Sequence, residues 1–106
     1  MISCTLPGPI ADVLYNGCSP EVITNALARL RPQTLEVVTT GSPNAFWCHV
    51  PSTFILCEFD RALTLEQQRA LAKRADAATV QLPSGHSVFY TFPDEVTETI
   101  VTLVNE

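Results

Sequence analysis

Two side chains suited to acid–base chemistry stand directly after short apolar runs. His86 lies in Leu82-Pro83-Ser84-Gly85-His86-Ser87-Val88-Phe89, and Asp60 closes the run Thr53-Phe54-Ile55-Leu56-Cys57-Glu58-Phe59. Gly85 opens backbone conformations that other residues avoid, and the nearby serines leave space for a neighbour to approach the ring. That context suits a displayed histidine better than a packed one. An acid beside it would hold the imidazole by a hydrogen bond and fix its orientation. Glu58 lies within the apolar run and is less well placed for this role than Asp60.

The elements that must bring the two together are readable in outline. Residues 53–59 form a nearly continuous apolar run, as expected of a strand covered on both faces. Thr64-Leu65-Glu66-Gln67 offers a capping box. The helix it starts should reach about Ala75, with Leu65, Ala72 and Ala75 facing inward. Ala78-Thr79-Val80-Gln81-Leu82 reads as a second strand. Pro93-Asp94-Glu95 starts a last helix, with Val96, Ile100, Leu103 and Val104 on one face. A strand–helix–strand unit of this length favours parallel strands. Asp60 and His86 then emerge at the carboxyl ends of adjacent strands, where open α/β sheets form their sites.

The first half is less regular. Residues 1–18 read as irregular, with Pro7, Gly8, Pro9 and Gly17 as breakers. Ser19-Pro20-Glu21 reads as a helix start, followed at helical spacing by Val22, Ile23, Ala26, Leu27 and Leu30, with Pro32 limiting the helix. Residues 34–40, TLEVVTT, suit strand or helix, and residues 40–52 read as loop. No internal repeat or low-complexity segment is present.

The 106 residues suit one small domain. An apolar content of 46% argues against disorder. The net charge of −5, with no basic cluster, argues against nucleic-acid binding. No run is long and apolar enough for a bilayer span, and the first residues do not resemble a signal peptide, so the expected setting is cytoplasmic, without membrane association. The cysteines, Cys4, Cys18, Cys48 and Cys57, form no C-x-x-C pair and are expected to be reduced, with Cys57 as a small core residue. Cys48, His49, Cys57 and His86 are metal-ligand types without a recognised spacing, so neither a metal nor a cofactor is expected. His49 reads as a surface or partly packed histidine. Phe46, Trp47, Tyr15 and Cys18 suit a pocket wall or core filler equally.

The run 50–96, VPSTFILCEFDRALTLEQQRALAKRADAATVQLPSGHSVFYTFPDEV, resembles the C-terminal part of the α/β-hydrolase superfamily. It is most similar to the small esterase-type branch that includes the plant methyl-ester esterases and hydroxynitrile lyases. The pieces that carry the likeness are PSTFILCEFDRAL, a strand ending in the triad acid, and LPSGHSVFYTFPDEV, the triad-histidine loop before the last helix. DVLYNGCSPEVITNALARLRPQT (12–34) is similar to that branch's cap segment. The resemblance implies a truncated α/β-hydrolase fold: a cap-segment helix, then strand, helix, strand and helix with two parallel strands. It implies one partial domain over 1–106, cap-like over about 12–45 and carrying the acid and histidine loops over 50–106. It makes Asp60 the triad acid and His86 the base that takes a proton from a serine as it attacks an ester carbonyl.

The family's nucleophile sits in a G-x-S-x-G elbow. Gly8, Gly17, Gly41 and Gly85 flank no serine in that pattern, and Ser19, Ser42 and Ser52, which precede Asp60, have no elbow context. An HGGG-type oxyanion segment is also missing. The expected function is therefore acyl hydrolysis of an ester or lactone, with this chain contributing acid and histidine and remaining inactive alone. The contrasting reading is a non-catalytic homologue acting as a binding module. A third is a cysteine hydrolase pairing Cys18 or Cys48 with His86. A strand left open at one edge should recruit a partner chain carrying the missing half, or a second copy.

Overall fold

The computed structural model describes residues 9–41 and 46–106. Cys4, Pro7, Gly8 and Ser42 lie outside them, as do the side chains of Phe46 and Cys48. The centre of the fold is one crossover unit. Strand β1 (Thr53–Cys57) leads through helix α4 (Leu65–Arg74) to strand β2 (Ala78–Leu82). The strands are parallel, paired from Thr53↔Ala78 to Cys57↔Leu82. Ahead of them come α1 (Ile10–Leu14), α2 (Pro20–Arg29), α3 (Leu35–Thr39) and a 3-10 turn at Phe46–His49. After them come α5 (Val88–Thr91) and α6 (Pro93–Val104).

The helix starts follow the sequence chemistry. The Ser19 hydroxyl accepts from the Val22 N–H at 3.3 Å, with Pro20 in the first turn. At α4 the capping box is complete: Thr64 Oγ1 accepts from the Gln67 N–H, and Gln67 Oε1 accepts from the Thr64 N–H. This helix ends through the Ala77 N–H, which donates to Ala72 O, with Asp76 at φ 52°. An aspartate tolerates that left-handed position better than most residues, though glycine is usual there.

Two expectations need correction and one open reading is resolved. Residues 10–14 are helical rather than irregular; one short turn after Pro9 cannot show a helical period. The ambiguous segment 34–40 is helical over Leu35–Thr39, where the Thr39 and Thr40 hydroxyls bond back to Leu35 O and Glu36 O. The predicted inner face of α6 is largely solvent-facing: Val96 is half-buried, while Ile100, Leu103 and Val104 are exposed.

The core lies where α4 meets β1. Leu56 is 1% exposed, with Cys57 and Ala72 buried beside it. The buried polar residue there is Gln68, which the helical pattern did not mark as inward. Its Oε1 accepts from the Cys57 N–H at 2.7 Å, and its Nε2 donates to Cys57 O and Leu63 O, both at 2.9 Å. The Glu58 N–H donates to Leu82 O in β2. By alternation, the Cys57 groups point to the opposite edge of β1. Gln68 thus takes the place of a neighbouring strand at that one residue.

These two devices differ in weight. Thr64→Ala removes one cap and should cost about 1 kcal/mol. Gln68→Leu keeps the volume but leaves the Cys57 N–H and Leu63 O without a partner, while Cys57 O keeps the Asp60 N–H, at about 1–3 kcal/mol for each group left unpaired and buried. Urea unfolding should rank Gln68→Leu as the more damaging; the reverse order would contradict the role given to Gln68.

Candidate active site

Asp60 and His86 meet at the carboxyl ends of the two strands. The ladder ends at Cys57↔Leu82, where β1 turns with the Asp60 N–H donating to Cys57 O at 3.3 Å. Two backbone bonds still tie this turn to the chain leaving β2: the Glu58 N–H donates to Leu82 O at 3.0 Å and the Phe59 N–H to Ser84 O at 2.9 Å. Just beyond them His86 Nδ1 stands 2.9 Å from Asp60 Oδ2. The aspartate side chain is 5% exposed and the histidine side chain 42%. The acid is therefore sunk behind the ring, and the ring presents a face to solvent.

The Asp60 carboxylate is pinned by its own loop. Oδ1 accepts from the Ala62 N–H at 2.8 Å and the Leu63 N–H at 3.1 Å. This is the local bonding that aspartate makes at the start of a turn. It reserves Oδ2 for the imidazole. Arg61 pairs instead with Asp12, and Arg69 Nη2 donates to Gln81 Oε1, so neither competes for Asp60. Glu58 is exposed and takes no part.

The histidine loop is held from beneath. The buried Ser84 hydroxyl bonds to Gly85 O at 3.0 Å and lies 2.6 Å from Thr91 Oγ1. The buried Ser87 hydroxyl donates to Leu14 O at 2.7 Å, a contact that spans most of the chain. Gly85 packs against Asn16 so closely that a Cβ would collide with the Asn16 carboxamide and backbone oxygens. Glycine is required here for space. Asn16 Nδ2 also donates to Phe59 O at 2.8 Å. Asn16 and Gln68 are the residues that sequence reasoning missed. The Asn16-Gly17 pair signals a turn, but nothing in it points to loops so far along the chain.

The other candidates do not join the pair. His49 is exposed in the 3-10 turn, and Trp47 is exposed beside it. Tyr15 packs edge-on against Tyr90, with centroids 6.4 Å apart. Ser19 is used as a helix cap, and Ser52 bonds to Val50 O. Cys18 and Cys57 are free. Burial pushes both thiols up from the ordinary value of 9.0, and the Asp60 carboxylate adds to the rise at Cys57. A nucleophilic thiol needs the opposite shift, so Cys18 does not suit a cysteine hydrolase. The Cys48 side chain lies outside the described residues. Among those residues, no helix is long and apolar enough to cross a membrane.

What the arrangement can do is accept a proton. With Nδ1 engaged by Asp60, the neutral ring holds its proton there and offers Nε2 as the base. No family model matches the chain. It is 33% identical over 99 residues to the α/β hydrolase nvfD of Aspergillus novofumigatus, across 92% of this chain and 40% of that protein. Among solved structures, polyneuridine aldehyde esterase matches 90% of this chain and 40% of its own, with a TM-score of 0.77 at 19% identity. A PytH variant matches 91% of this chain and 39% of its own, with a TM-score of 0.64 at 22% identity. The chain spans about two-fifths of the length of these relatives. The fold is that of the α/β-hydrolases, present here in part.

Two measurements follow from this geometry. Imidazole nitrogen NMR at alkaline pH should find the neutral His86 ring protonated on Nδ1. Asp60→Ala should release it toward the Nε2–H form that free imidazole prefers. The exposed His49 serves as internal reference, and an Nε2–H ring in the unmodified chain would contradict the pairing. The thiols give a pH dependence. The folded chain keeps thiol protons that the unfolded chain gives up at the ordinary value, so stability should fall as pH rises past about 9. Urea midpoints should show this decline, and it should be shallower in Cys57→Ala.

Proposed function

We propose that this chain, the C-terminal portion of an α/β-hydrolase, supplies the acid and the base for hydrolysis of a carboxylic ester or lactone. The observation that carries the reading is the 2.9 Å contact between Nδ1 of a half-exposed imidazole and the free oxygen of an otherwise pinned, buried carboxylate. In the reaction, His86 Nε2 takes the proton from a serine hydroxyl as its oxygen attacks the acyl carbon. The same nitrogen then protonates the leaving alkoxide. A water, deprotonated by His86 in turn, cleaves the acyl-enzyme and regenerates the serine. Asp60 holds the ring in the tautomer that leaves Nε2 free and stabilises the imidazolium formed in each half-reaction. That one solved neighbour is an esterase supports the choice of an ester.

The serine and the oxyanion hole come from outside residues 1–106, on the same polypeptide or on a partner chain. Phe59, Ile100, Val101 and Val104 are exposed apolar residues that such a partner would cover.

The test is hydrolysis of p-nitrophenyl butyrate by the 106-residue chain alone and by the chain joined to, or mixed with, a polypeptide bearing a G-x-S-x-G elbow. The chain alone should show no turnover. In the active combination, His86→Ala should lower the rate by several orders of magnitude, and Asp60→Asn by about 10³–10⁴-fold. An active combination indifferent to His86→Ala would overturn the reading. Absence of turnover in every combination would favour a binding module instead.

A further inference from the structure

We propose that Asn16 is a positioning residue that sets the Asp60 loop and the His86 loop at their working separation. The inference rests on the acid–base reading of the pair but concerns a residue with no part in proton transfer. The sheet cannot do this positioning alone. Its ladder ends at Cys57 and Leu82, one further backbone bond joins Phe59 to Ser84, and Asp60 and His86 both lie beyond it. Asn16 spans the two loops at that point.

The placement of Asn16 is built into a turn. The Cys18 N–H donates to Tyr15 O at 3.1 Å, and Gly17 takes φ 83°. Positive φ at the third residue, with Asn16 at the second, is the type II arrangement. From that corner the carboxamide Nδ2 donates to the carbonyl of Phe59, the residue before Asp60. The carboxamide oxygen packs against Gly85, the residue before His86. One planar group thus touches the residue ahead of each member of the pair. Phe59 is gripped twice, through its N–H by Ser84 O and through its carbonyl by Asn16.

The two halves of the amide do different work. Nδ2 makes a hydrogen bond, while Oδ1 is buried with no hydrogen-bond partner. A buried polar atom without a partner is a cost, so its contact with Gly85 acts as a spacer rather than a bond. Flanking ties hold the same segment in place. Leu14 O accepts from Ser87, one residue past His86, and Asp12 pairs with Arg61, one residue past Asp60. Residues 12–17 therefore bracket both members from both sides.

Imidazole nitrogen NMR on the full 106-residue chain tests this, read together with the amide signals of β1, α4 and β2. In Asn16→Ala the Nδ1–H form of neutral His86 should fall from dominant to minor, with the sheet and α4 signals and His49 unchanged. Asn16→Asp should do the same, because a carboxylate of equal size cannot donate to Phe59 O. A His86 ring that stays Nδ1–H in either folded variant overturns the proposal. So does loss of the sheet signals in both variants, because Asn16 would then hold the fold rather than the pair. Asp60→Ala separates the two levels of the argument. If it leaves the His86 tautomer unchanged, the acid–base reading itself fails; if it shifts the tautomer and the Asn16 variants do not, only the role of Asn16 fails.

Discussion

A carboxylate withdrawn from water must find hydrogen-bond donors, and the arrangement around Asp60 is organised by that demand. Unpaired burial of such a group is among the most costly things a fold can do. Asp60 finds its donors on two separate loops: the backbone of Ala62 and Leu63 on one side and the ring of His86 on the other. The first pair requires residues 60–63 to turn tightly at the end of β1. That turn is followed immediately by the capping box at Thr64, which fixes where α4 begins. Gln68, one turn into α4, reaches back to Leu63 O and to both backbone groups of Cys57. Strand end, acid loop and helix start are therefore one hydrogen-bonded unit, and displacing any of them leaves buried groups without partners.

The magnitudes decide which cross-chain ties matter. The Asp12–Arg61 pair is exposed on both sides, and such pairs contribute about 0–1 kcal/mol. The bond from the buried Ser87 to Leu14 O is neutral, yet its loss leaves a buried hydroxyl unpaired, at about 1–3 kcal/mol. The bond from Asn16 to Phe59 O is neutral and exposed, so its weight lies in where it holds the loop rather than in a desolvation cost. The charged contact is the one most visible in a sequence and the least consequential here.

That contrast also explains what the sequence discloses. The strands, α2, α4, the start of α6 and the loops bearing Asp60 and His86 are legible because period, capping residues and breakers are local properties. The short helix at 10–14 has no side-chain cap and too few residues to show a period. The segment 35–39 is rich in β-branched residues yet becomes helical, its threonines bonding back along the turn. Gln68 looks like a solvent-facing helix residue until the strand edge it covers is known. Asn16 looks like an ordinary turn residue, because its partner Phe59 is 43 positions away. Local chemistry names the pair; the residues that aim it are named only by contacts between distant segments.

The contact between Asp60 and His86 is held by bonds within this chain, while the apolar surface around it stands open. The hydrogen bonds described around the two residues run among residues 12–91. Beyond the site, Ile100, Val101, Leu103 and Val104 crowd the last turns of α6, more of its circumference than a one-sided helix exposes, and Phe59 stands exposed beside the acid. On the proposed reading the two facts fit together: a pair already oriented needs no reordering when a nucleophile is brought to it, and burial of the apolar surface would drive that association. Separating the two jobs would let short internal bonds set the pair and buried area set the docking.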